Sequence, residues 1–159
     1  MSFTAIKDSD NYATDKNGWE IIASYIPTDK VIWSPFYCDG KQKEYFEEMG
    51  YDIIHRDEDF FTYMPEYDII VDNPPFSRMR EICTRLKELD KPFILVAFSK
   101  VLLMKWFQRL FKEHLQIIIP FKRPTFTHLT NPKKGYTPPF GVQYYCWKMH
   151  LPKDLIFLD

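Results

Sequence analysis

The chain has 159 residues, enough to bury roughly 70% of its unfolded surface in one core without staples. Its 18% aromatic content argues against disorder, and with only five glycines it contains no glycine-rich phosphate loop. The net charge of −1 averages two unlike parts, because residues 1–72 carry ten more acids than bases while the remainder carries nine more bases than acids.

In chain order, residues 20–26 predict a short helix closed by Pro27, and residues 30–33 a strand that runs into Ser34-Pro35-Phe36-Tyr37-Cys38-Asp39-Gly40. Residues 41–49 have helical spacing at Tyr45, Phe46 and Met49 and stop at Gly50, after which residues 51–55 predict a second strand and complete a βαβ unit. The acidic turn Asp57-Glu58-Asp59-Phe60-Phe61 follows, and then a strand over residues 67–71. Met79, Ile82, Cys83, Leu86 and Leu89 stripe an amphipathic helix. Residues 93–98 form a continuous apolar strand of the kind found in a parallel sheet covered on both faces. Leu102, Leu103, Trp106, Phe107 and Leu110 stripe another helix ending near His114. Two more strands are expected at residues 115–119 and 141–147, joined by a connection whose length and five prolines point to a functional loop. This alternation predicts an open, doubly wound, mostly parallel α/β sheet in one domain over residues 1–159, with ligands at the carboxyl ends of its strands.

Cys38, Cys83 and Cys146 are widely spaced and not at ligand spacing from any histidine, so neither a zinc site nor a disulfide framework is expected. A polar start and the lack of a long apolar run are read as a soluble, intracellular protein. From His114 to Lys153 there is no Asp or Glu, and Lys122, Arg123, Lys133 and Lys134 lie there among aromatic residues. That pattern is a nucleic-acid footprint or a solvated basic face.

The run Asp72-Asn73-Pro74-Pro75-Phe76-Ser77 ends the strand at residues 67–71. Two prolines fix φ near −65° and supply no N–H, so the carbonyls of Asn73 and Pro74 are held outward at a rigid tip. The Asn73 amide adds an acceptor and Phe76 a flat apolar face, a combination suited to a planar ring bearing an amino group. This tip resembles the Asn-Pro-Pro-Phe/Tyr signature of amino-methyltransferases that use S-adenosylmethionine, above all the adenine-N6 DNA methyltransferases. The resemblance extends over most of the chain, in the arrangement that places the cofactor site N-terminally.

The resemblance implies a Rossmann-like class I methyltransferase fold with an antiparallel final strand. The interval between the second strand and the Asn-Pro-Pro-Phe tip is short, so the usual third strand and its helix should be reduced or missing. It also implies that Asn73 and Pro74 accept hydrogen bonds from the target amino group while Phe76 stacks on the base. Tyr12 and Thr14, in the leading motif, would meet the methionine end of the cofactor together with Pro35, Phe36, Asp39, Gly40 and Asn73. One of Asp57, Glu58 and Asp59 would meet the ribose, and the Asp59-Phe60 pair would lie near the cofactor adenine. Phe126, after the sixth expected strand, would pack on the flipped base, with Lys122, Arg123, Lys133 and Lys134 on phosphates. The implied reaction is methyl transfer from S-adenosylmethionine to adenine N6 in DNA. RNA adenosine as substrate, or a catalytically inert binding subunit, stay open, the latter because the cofactor loop has a single glycine. No metal is required, no recognition domain is evident, and a protein partner could supply specificity.

Overall fold

A computed structural model describes residues 10–131 and 141–159. Among these residues the chain order is β1 (Tyr12–Thr14), α1 (Lys16–Glu20), β2 (Val31–Trp33), α2 (Gln42–Glu48), β3 (Asp52–Ile54), β4 (Ile69–Asp72), α3 (Met79–Leu89), β5 (Phe93–Phe98), α4 (Lys105–Phe111), β6 (Leu115–Ile119), β7 (Phe126–His128), β8 (Val142–Trp147) and β9 (Leu155–Phe157). Seven strands form one sheet in the order β3-β2-β4-β5-β8-β6-β9. All neighbours run parallel except β8, which lies antiparallel between β5 and β6.

Strand alternation sends successive side chains to opposite faces, and here both faces are covered. Ile69, Val71, Ile94, Val96, Tyr144 and Cys146 pack on one side with Trp19, Ile22 and Phe46. Ile70, Phe93, Leu95, Ala97, Tyr145 and Trp147 pack on the other with Ile82, Leu86, Phe107 and Phe111. Each large side chain fully buried in this way contributes roughly 1.5–3 kcal/mol, so the continuous apolar strands hold the centre of the molecule.

Residues 55–68 contain neither helix nor strand, so β3 is the sheet edge and the family's usual third strand and its helix are missing, as the short interval implied. Three expectations need correction. The helix read at residues 20–26 is instead α1 four residues earlier, followed by a 3-10 turn at Ala23–Tyr25. The segment tightens into a turn closed by the Ile26 N–H donating to the Ala23 carbonyl at 3.1 Å, and the Tyr51 hydroxyl holds its end from outside, 2.6 Å from the Ala23 carbonyl oxygen and 2.9 Å from that of Ile26. The helix read from Leu102 is a 3-10 segment, Ser99–Leu103, and then α4, broken at Met104 with ψ 129°. The antiparallel strand is not the last in the chain, because β9 follows it and pairs parallel with β6.

The connection expected to be one long loop holds β7, which pairs antiparallel with β1 as a separate two-stranded ribbon. Asp15 fastens it: the Thr125 and Thr127 hydroxyls donate to its two carboxylate oxygens at 2.6 and 2.5 Å. No helix among the described residues is long and apolar enough to cross a membrane.

Candidate active site

The loop after β2 stands on a buried polar brace. Asp72, the last residue of β4, is 1% exposed, and its Oδ2 accepts the Phe36 N–H at 2.6 Å while Oδ1 accepts the Asn73 N–H at 2.7 Å. Gln42 at the start of α2 donates to Ser34 Oγ (2.5 Å), to the Val71 carbonyl (3.2 Å) and to Asp72 Oδ1 (3.3 Å). His55 spans the loop from below, with Nδ1 2.8 Å from the Ser34 carbonyl oxygen and Nε2 3.1 Å from that of Tyr37. Burial pushes the Asp72 carboxyl up to about 7, a rise that the hydrogen bonds from Phe36, Asn73, Ser34 and Gln42 only partly oppose. The loop then turns on itself, with the Gly40 N–H donating to the Tyr37 carbonyl at 2.8 Å and left-handed backbone at Cys38 (φ 51°) and Gly40 (φ 77°).

Beside this loop stands the proline tip. Asn73 is 7% exposed and its side-chain Oδ1 is buried without a hydrogen-bond partner, a state that carries a desolvation penalty of about 1–3 kcal/mol unless something fills it. Pro74 is buried, and the half-buried Phe76 ring lies against Phe98 with centroids 3.8 Å apart. Ser77 ties the tip to the N-terminal segment, donating its N–H to Asp10 Oδ1 at 3.1 Å and its hydroxyl to Asp10 Oδ2. Three stretches remote in sequence, residues 10–12, 36–38 and 73–76, thereby close around one cleft of about 180 Å³ at the carboxyl end of the sheet.

Of the residues singled out in the sequence, Tyr12, Phe36, Asn73, Pro74 and Phe76 line this cleft. Asp10, Tyr37 and Cys38 line it too; Tyr37 and Cys38 stand in the run quoted after β2 without an assigned role, and Asp10 in no motif. Thr14 and Pro35 are buried behind it. Asp39 accepts the Lys41 N–H at 3.1 Å and Gly40 supplies the turn, both at the cleft margin. Asp57 is exposed beyond the carboxyl end of β3, outside the cleft lining. Asp59 accepts the Phe61 N–H at 2.8 Å and closes its own turn, while Phe60 is buried against Phe36 (5.2 Å) and Trp33 (5.6 Å) and supports the loop from behind.

Lys122 and Arg123 are exposed beside Phe121, which is 82% exposed. Phe126 does not fit its expected place on a base. It is 4% exposed, lies in β7, and packs in the core with Trp19 and Tyr144 because strand alternation turns it inward. Lys133 and Lys134 lie outside the described residues. The Ser34–Gln42–Asp72–His55 brace had a faint signal, Gln42 one helical turn before the core residue Phe46, a polar group on an apolar stripe.

The family model for the adenine-specific methyltransferase EcoRI matches residues 38–121, just over half of the chain, from the loop after β2 through the proline tip to just past β6. The chain belongs to that family. Its sheet, with one antiparallel strand set between parallel neighbours, is the Rossmann-like methyltransferase fold. No curated protein matches the chain. Among the described residues of this adenine methyltransferase, no group of three or more His, Cys, Asp or Glu side chains is placed to hold a metal ion.

Proposed function

We propose that this methyltransferase transfers a methyl group from S-adenosylmethionine to the N6 amino group of adenine in DNA. The observation that carries the reading is the buried, unpartnered Asn73 Oδ1 at the wall of a cleft shared by the proline tip, the loop after β2 and the N-terminal segment.

The residues present fit the cofactor. A volume of about 180 Å³ is below the roughly 300 Å³ at which pockets enclose a whole drug-sized ligand, so the cleft suits one end of an extended molecule. Asp10 in its lining and Asp39 beside Cys38 match the positive charge of a sulfonium and an α-ammonium group. When bound, S-adenosylmethionine supplies an electrophilic methyl group on sulfur.

The chain's own residues prepare the acceptor. An adenine amino nitrogen is nearly planar because its lone pair is delocalised into the ring. Asn73 Oδ1 and the Pro74 carbonyl accept its two N–H groups and favour a pyramidal nitrogen, whose lone pair is then free for in-line attack. The Phe76 ring, fixed by Phe98, sets the plane of the base. The proton lost from nitrogen after transfer passes to water at the open side of the cleft. Exposed Lys122 and Arg123 supply contacts to phosphate, which favours a polyanionic substrate over a free nucleoside.

The test is transfer of a labelled methyl group to duplex DNA, single-stranded DNA and RNA, alongside calorimetric titration with S-adenosylmethionine. Transfer to DNA with the label in N6-methyladenine is the expected result. Label only in RNA would replace the substrate, and no heat of cofactor binding would replace the enzyme by an inert subunit.

A further inference from the structure

A second groove, of about 300 Å³, adjoins the cleft and shares the Phe76 ring with it. Phe76, Phe98 and Trp106 give it three aromatic rings, Met104 an apolar side chain, and Arg80 and Lys100 two cations, while no Asp or Glu among the described residues lines it. The cations are placed by independent elements. Arg80 lies in the first turn of α3 and Lys100 in the 3-10 segment after β5.

Arg80 differs from its neighbours on α3. Arg78 pairs with Glu81 at 2.8 Å and Arg85 approaches Glu88 at 3.8 Å, whereas Arg80 has no acidic partner among the described residues. Lys100 is likewise without a carboxylate there, its Nζ resting 5.6 Å from the centre of the Phe98 ring. Two unneutralised cations beside flat rings call for a ligand that alternates anionic links with planar bases. An acidic peptide would satisfy the charges and leave the rings uncovered.

One side of the Phe76 ring is taken by Phe98, so a target base must stack on the side facing the cleft. Whatever occupies the second groove then lies one ring away from the target. We propose that this groove holds the nucleotide adjoining the target adenine, its phosphate between Arg80 and Lys100 and its base against Phe98 and Trp106. The inference rests on the reading of the protein as a methyltransferase acting on a nucleic-acid strand. It adds a contact that makes the neighbouring nucleotide, and not the target alone, part of recognition.

The experiment compares wild type with the double variant Arg80→Ala/Lys100→Ala and with Trp106→Ala. The probes are S-adenosylhomocysteine by calorimetry and a labelled adenine-containing oligonucleotide by anisotropy over a range of salt, with a second oligonucleotide abasic next to the adenine. In the double variant, cofactor affinity is expected to hold within about twofold, strand affinity to fall about tenfold, and the slope of log affinity against log salt to shrink by about two. Removal of the neighbouring base should weaken wild type several-fold and leave Trp106→Ala unmoved. If wild type methylates the oligonucleotide and the double variant keeps its affinity and salt slope, the groove assignment is overturned while the activity stands. If wild type binds cofactor yet transfers methyl to no oligonucleotide, the activity falls and the groove assignment with it.

Discussion

Two hollows lie near opposite ends of the same sheet, and they are built on opposite rules. The amino-end hollow, lined by His114, Gln116, Lys148, His150, Leu151 and Asp154, is about 300 Å³ and so larger than the cleft at the proline tip. Its hydrogen bonds are closed on themselves: the Gln116 amide donates to Leu151, Lys153 and Asp154 and accepts the Leu151 N–H, and Lys148 donates to Asp90. That closure supports left-handed backbone at His114, Lys148 and His150, each of which costs on the order of 1–3 kcal/mol unless its surroundings over-determine it. The carboxyl-end cleft instead leaves Asn73 Oδ1 unsatisfied above a satisfied brace. Size does not separate a structural hollow from a candidate site; spare hydrogen-bonding capacity does.

The sharpest way to break this contrast is Asn73→Ala. It should lower the methyl-transfer rate about 10³-fold, the upper range for losing one preorganised polar group, with little change in thermal stability because the side-chain oxygen has no internal partner to lose. Activity within a few-fold of wild type would end the contrast. Asp72→Asn should act on both sides of it. One of the two backbone N–H groups that its carboxylate now accepts would face an amide NH2, at about 1–3 kcal/mol in stability measured by denaturant unfolding, and the loop after β2 would loosen. The same variant has a signature in pH. Folded Asp72 keeps its proton up to about 7, whereas in the unfolded chain a carboxyl releases it near the ordinary value of about 3.9. Between those values the native state binds more protons, so wild-type stability falls as pH rises from about 4 to about 7 and is level above, and Asp72→Asn should remove that decline.

At the closed hollow, Gln116→Ala should cost about 1–2 kcal/mol in unfolding experiments, with specific activity per folded molecule unchanged. A selective loss of activity would mean that this hollow also serves the reaction. The smallest effect is expected from Lys122→Ala/Arg123→Ala, exposed residues whose removal should weaken strand binding a few-fold and reduce its salt slope by about one to two, checked by anisotropy.

Much of this was legible in residues 31–119, where apolar runs and helical stripes are long enough to declare themselves. β5 and α3 fall where periodicity places them, and the proline tip announces its chemistry because proline's geometry is local. The illegible parts are short or depend on partners. β1, β7 and β9 have three residues each, too few for alternation to stand out, and are fixed by Asp15, Thr125 and the free edge of β6. Phe126 read as a loop aromatic because the ribbon that turns it inward pairs residues more than a hundred positions apart. The role of Asp72 is hidden for a related reason: its acceptors are satisfied by Phe36 of the loop after β2 and by Asn73, which a strand pattern does not reveal.

The placement of β8 has a consequence for the order of assembly. β5 and β6 have no ladder with each other, and each meets β8 instead, through Phe93–Phe98 and Leu115–Ile118 respectively. The ribbon that seats Tyr12 likewise waits for residues 126–128. A chain emerging from the ribosome therefore displays the proline tip, the loop after β2 and the helices between them long before it owns a closed cleft, and during that interval two strand edges face a gap. Such late, long-range closure is slow by topology. A chain cut before β7 and β8 would leave β1 without its strand partner and the edges of β5 and β6 open to cross-pairing.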